Sequence, residues 1–165
     1  MEKEYVMEIA RTIREQLVSL TPMPVLMSWG VEGFAATVYK DMPALQIEVN
    51  GRLHTGYVIV ALNGADYYEV YLQKGAAVEC VNDEVCFDEL GDVIDRAIES
   101  GTDQAEYDRF CEQQRALLLN QIIALGNPAI TFVQPLLVLR KVLLQLLNQC
   151  IAFGNPAITI RNQWQ

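Results

Sequence analysis

The sequence predicts an α+β fold: an N-terminal helix, a five-stranded antiparallel meander sheet, then two helices, with a C-terminal helical tail that contains a duplicated segment. Three observations carry this reading. Apolar residues recur at helical spacing over residues 2–20, at strand spacing from Val25 to Val81, and at helical spacing again from Phe87 onward. Charge divides the chain: residues 1–116 hold nine Lys and Arg against all 21 Asp and Glu, a net −12, whereas residues 117–165 hold only Arg140, Lys141 and Arg161, a net +3. Finally, a fourteen-residue run that starts at Leu118 recurs 28 positions later. An acidic domain over residues 1–115 and an apolar tail over 116–165 follow.

The first helix places Val6, Ile9, Ala10, Ile13, Leu17 and Leu20 along one stripe, with Glu4, Glu8, Arg11 and Glu15 around the rest of the axis. Thr21-Pro22-Met23-Pro24 ends it, because proline cannot continue a helix and biases its predecessor toward extended backbone. Val25–Trp29 reads as an extended partner of Phe34–Tyr39, joined by a turn at Gly30–Gly33. Leu45–Val49 alternates strictly, giving one buried and one wet face, and Asn50-Gly51 favours a type I′ turn. Leu53–Leu62 is apolar on both alternations, so it belongs at the centre of the sheet. Tyr67–Gln73 and Ala76–Val81 complete the meander after turns at Asn63-Gly64-Ala65 and Lys74-Gly75.

Phe87, Leu90, Ile94, Ala97 and Ile98 mark a helix over residues 87–100, stopped by Ser100-Gly101. Thr102 or Asp103 can cap the next, which carries Tyr107, Phe110, Cys111, Leu118, Ile122 and Leu125 on one side. In the tail, twelve of fourteen positions are identical between residues 118–131 and 146–159. Each copy reads as a helix end, a Gly stop, Asn-Pro, and a short extended Ala-Ile-Thr. Between them Leu136, Leu139, Leu143, Leu146, Cys150 and Phe153 form an apolar seam whose burial is worth on the order of 10 kcal/mol before entropy. That seam can pack on the preceding helix of the same chain or on a second copy of the protein. The bland alternative is a duplication of coding sequence with no dedicated task.

These features bound the function. An apolar fraction of 52% argues against intrinsic disorder. An acidic body repels phosphate backbones, so no direct nucleic-acid binding is expected. Ala116–Leu139 is uncharged, but Asn120, Gln121, Asn127-Pro128 and Gln134-Pro135 interrupt it too often for a membrane span. Cys80, Cys86, Cys111 and Cys150 form no C-x-x-C pair and the start lacks a cationic then apolar leader pattern, so a cytoplasmic setting is the expectation.

Catalytic and cofactor signatures are missing from the sequence. His54, the single histidine, has no Cys or Ser in an activating context and reads as a surface strand residue. Cys80 and Cys86 lack the further ligands that zinc needs. Asp83, Glu84, Asp88, Glu89, Asp92, Asp95 and Glu99 lack the spacing of a calcium loop, and there is no glycine-rich phosphate loop. No metal, cofactor or catalytic residue is therefore expected. Tyr57, Tyr67 and Tyr71 form a candidate aromatic surface, with cross-strand packing as the plainer account.

The reading that follows is a small accessory, adaptor or chaperone-like protein that offers a sheet face or helical seam to a protein partner or to itself. One alternative is a DNA mimic, with Glu79, Asp83, Glu84, Asp88, Asp92, Asp95 and Glu99 imitating phosphates. Another is a small hydrolase or binding protein with a pocket around Trp29, His54 and Tyr68.

Overall fold

The computed structural model describes residues 2–125 and 159–160. Helix α1 (Lys3–Leu20) and a short α2 (Met23–Ser28) precede five strands, β1 (Gly33–Tyr39), β2 (Met42–Asn50), β3 (Thr55–Leu62), β4 (Tyr68–Lys74) and β5 (Ala77–Val85). Helices α3 (Leu90–Ile98) and α4 (Gln104–Leu125) follow, and a two-residue β6 (Thr159–Ile160) ends the described chain. Strands β1 to β5 pair antiparallel in sequence order, and β6 joins the outer edge of β1 in parallel.

One face of the sheet carries the core. Val6, Ala10, Ile13 and Leu17 form the buried stripe of α1, and Leu90, Ile94 and Ile98 that of α3. They meet Leu45, Ile47 and Val49 of β2, Val58 and Val60 of β3, and Val70 of β4. The three large side chains on α3 alone contribute about 5–9 kcal/mol before entropy. Within this core Trp29 is fully buried and donates its indole N–H to Asp95 Oδ1 at 2.8 Å, tying α2 to α3.

Two local expectations are corrected. Residues 25–29 are not a strand: α2 begins at Met23 with proline in its first turn, where a missing N–H costs nothing and a fixed φ favours the helix. A five-residue apolar run has no period of its own, and the prolines that end α1 also start α2. Nor do Asn50 and Gly51 form a two-residue turn. Asn50 pairs with Thr55 across a loop of residues 51–54. Gly51 is required there for space, since a Cβ would lie 2.5 Å from the Ile98 carbonyl oxygen. The tight turn sits instead at Lys40-Asp41, with φ of 49° and 61°, the positive φ at both central residues that a I′ turn demands and that non-glycine residues resist.

Smaller differences concern boundaries. β5 runs on to Val85, with its pairing to β4 made irregular around Val70, and Cys86–Glu89 form a turn before α3. β3 is central, and Val58, Ile59, Val60 and Ala61 are buried from both sides.

Candidate functional site

One exposed surface has the chemistry to engage something outside the fold, and a second, buried cluster lies on the opposite sheet face. The first is α4 and the clasp that holds it. The 51–54 loop lies across the C-terminus of α3, where helix carbonyls lack intrahelical partners. Leu53 N–H donates to the Ile98 carbonyl at 2.9 Å and Arg52 N–H to Glu99 Oε2 at 2.7 Å. The guanidinium of Arg52 then spreads over both helices. Its Nε and Nη2 donate to the carbonyls of Glu99 and Ser100 at 2.9 and 3.1 Å, while Nη1 meets Glu106 Oε1 of α4 at 3.1 Å. The planar cation also lies 5.7 Å from the Tyr107 ring centroid and 5.3 Å from that of Phe110. Burial raises the Glu99 carboxyl above its usual range, and the Arg52 N–H pulls it partly back. Tyr107 is pushed up to about 12, by burial first and by Glu99 next.

Asp103 caps α4, accepting the Glu106 N–H on Oδ1 at 3.0 Å. Beyond Cys111 every residue to Ile123 is exposed. Leu117, Leu118, Leu119 and Ile122 show 50–54% of their surface and Ile123 69%. Leu118 with Ile122 and Leu119 with Ile123 are neighbours at i, i+4, so α4 from Ala116 to Ile123 is a broad apolar surface without charge.

The second cluster sits on the sheet face turned away from α1 and α3. Ala44, Ile59, Ala61 and Tyr71 make a small buried apolar cluster there, flanked by the partly buried Tyr39 and Met42. The Tyr39 and Tyr71 rings stand 4.7 Å apart, and Lys40 Nζ lies 4.6 Å from the Tyr71 centroid and donates to its hydroxyl at 3.2 Å. Tyr71 in turn donates to Glu69, and burial followed by that carboxylate lifts its pKa far above the usual tyrosine range. Further along, a cavity of about 250 Å³ is lined by Glu32, Phe34, Gln46, Glu48 and Tyr57, with Tyr57 donating to Glu48 at 3.4 Å.

Of the expected aromatic surface, Tyr57 and Tyr71 share this face. Tyr67 lies just before β4, half-buried, with its N–H on the Asn63 side chain. The apolar seam Leu136, Leu139, Leu143, Leu146, Cys150 and Phe153 lies outside the described residues. Trp29 and Tyr68 are core side chains, the latter donating to Gln16 at 2.6 Å, while His54 stands in the 51–54 loop with its N–H on Ile98. Asp95 and Glu99 are engaged by Trp29 and Arg52, whereas Glu79, Asp83, Glu84, Asp88 and Asp92 are exposed. Cys80 and Cys86 are exposed thiols, and no grouping of His, Cys, Asp or Glu that could hold a metal occurs among the described residues. No described helix is long and apolar enough to cross a membrane.

The role of Arg52 was beyond sequence reasoning. Its sole trace is one basic side chain beside a Gly in a turn within an acidic region, a signal shared with many solvated loops. Comparison with family models, with curated proteins and with solved structures gives no match.

Proposed function

We propose that this chain is a non-enzymatic accessory or adaptor protein, chaperone-like in offering an uncharged apolar surface to another polypeptide. The observation that carries the reading is the distal half of α4, where Leu117, Leu118, Leu119, Ile122 and Ile123 are at least half exposed while the body beside them is well packed. Exposed apolar surface of this kind is where proteins associate. A cytoplasmic setting accords with the cysteine pattern of the sequence.

Among alternatives, the DNA-mimic reading needs a continuous carboxylate stripe. Engagement of Asp95 and Glu99 within the fold shortens the row available to it. The pocket reading loses Trp29 and Tyr68, which are used in the core. Light scattering on the full chain and on a version ending at Arg115 tests the adaptor reading. The full chain should associate and the shorter one should be monomeric; two identical monomeric masses would remove α4 and the tail as a self-association element.

A further inference from the structure

On the sheet face turned away from the helices, the two ends of β1 are filled differently. At one end Tyr39 and Met42 pack against Ala44, Ile59, Ala61 and Tyr71. At the other, β1 contributes only Gly33 and Ala35, which pair with Glu48 and Gln46 of β2, and Glu48 pairs in turn with Tyr57 of β3. Side chains at directly paired positions share a face, so two minimal side chains stand beside three long ones. The result is the partly open cavity of about 250 Å³, with room for a small molecule. A Cβ placed on Gly33 would meet nothing within 4 Å, so the hollow exists because that residue has no side chain.

The lining is rich in acceptors. The Glu32 N–H donates to the Glu48 carbonyl at 2.9 Å, which brings a second carboxylate-bearing residue to the rim, and the Tyr57 hydroxyl is turned on Glu48. Gln46 is only 6% exposed. Its amide N–H reaches Gln73 Oε1 at 3.4 Å, and its carbonyl oxygen has no hydrogen-bond partner among the described residues. A buried amide oxygen in that state carries a desolvation cost that an entering donor relieves. No Lys or Arg lines the cavity, since Arg14 lies against the Phe34 ring, 5.2 Å from its centroid, without reaching the hollow. Carboxylates, an amide oxygen and an aromatic ring together suit a positively charged donor. The net −12 of residues 1–116 raises the local concentration of such cations.

We propose that this cavity is a binding site for a small alkyl cation, an ammonium or guanidinium head on a short aliphatic chain. The head donates to the Glu48 carboxylate and to Gln46 Oε1, and the chain lies over Gly33 and Ala35. A carboxylate accepts several hydrogen bonds at once, so Glu48 can hold Tyr57 and the ligand together. The site shares no residue with α4, and it stands or falls independently of the adaptor reading.

Titration of the full-length chain with n-butylguanidinium and n-butylammonium, followed through amide chemical shifts at constant ionic strength, tests this. Shifts at Gly33, Gln46, Glu48 and Tyr57 should saturate, with a Kd on the order of 1 mM for ligands of so few atoms. The uncharged n-butanol should not saturate in that range. Gly33→Leu should abolish binding by filling the hollow. It should also keep the fold, since glycine weakens a strand and this position has no positive φ. Glu48→Gln, nearly the same shape without the charge, should weaken binding roughly tenfold, and it decides the matter whether or not the filled variant folds. Shifts spread over the exposed carboxylates without saturation, equal binding of n-butanol, or undiminished affinity in Gly33→Leu or Glu48→Gln overturns the proposal.

Discussion

Helices α1 and α4 are both long and both rich in apolar residues, yet they dispose of them in opposite ways. In α1 the apolar positions recur at 3- and 4-residue steps, so one stripe takes Val6, Ala10, Ile13 and Leu17 into the core and leaves the charges wet. In α4 the apolar residues are consecutive, Ala116-Leu117-Leu118-Leu119 and Ile122-Ile123, so they point all round the axis and a single contact surface cannot bury them. Its first turns meet the body at Arg52, whereas Glu112 to Ile123 are exposed. Periodicity, more than hydrophobicity, decides whether a helix joins a core.

The largest expected effect separates the two regions directly. Ile94→Ala should destabilise the body by about 2–5 kcal/mol in urea denaturation, because it opens a cavity under the sheet. An effect below half a kcal/mol would mean that α3 is not a core helix. Next, Arg52→Ala should cost about 1.5–3 kcal/mol, since it strips charged hydrogen bonds from part-buried acceptors at the end of α3. It should also speed amide exchange in the first turns of α4 more than in α1; equal acceleration in both would show that Arg52 does not act as the clasp.

A third test concerns pH. Glu99 has its carboxyl raised by burial, so the folded state takes up this proton at a higher pH than the unfolded state does. Its contribution to stability is full below the ordinary glutamate range and is lost as pH rises through the raised folded value. Stability should therefore climb as pH falls from neutrality toward that range, and Glu99→Gln should flatten this part of the climb. An unchanged slope in the variant would assign the effect to the general repulsion of the acidic body. The smallest effect is expected at the far end of α4, where Ile123→Ser should leave body stability within about 0.5 kcal/mol while reducing association in light scattering. A larger loss would show that the α4 tip is part of the core.

The order and type of the main elements were legible because α1, β2 and α3 each display a clean period over enough residues to exclude the other, while β3 is a short β-branched apolar run bounded by turn residues. Residues 25–29 were misread for want of length, since a short apolar run between prolines suits a strand end or a helix start equally. The turn chemistry misled in a more instructive way. Asn50-Gly51 has the composition of a tight hairpin, but its glycine answers to the Ile98 carbonyl of a helix 47 residues away, a contact that no local pattern encodes. Lys40-Asp41 does the opposite, adopting the strained turn without glycine while Lys40 reaches the ring of Tyr71. Alternation placed Tyr57 and Tyr71 on one sheet face, but Tyr71 is buried there, whereas the Arg52 clasp depends on three segments meeting.

The sequential pairing of β1 to β5 also bears on how the molecule is made. Each strand finds its partner in the segment synthesised just before it, and the core is closed by α3 well before α4 is finished. Short sequence separations of this kind favour rapid folding. The body can therefore be assembled while the last part of the chain is still emerging from the ribosome, and β6 arrives at a sheet edge that is already in place.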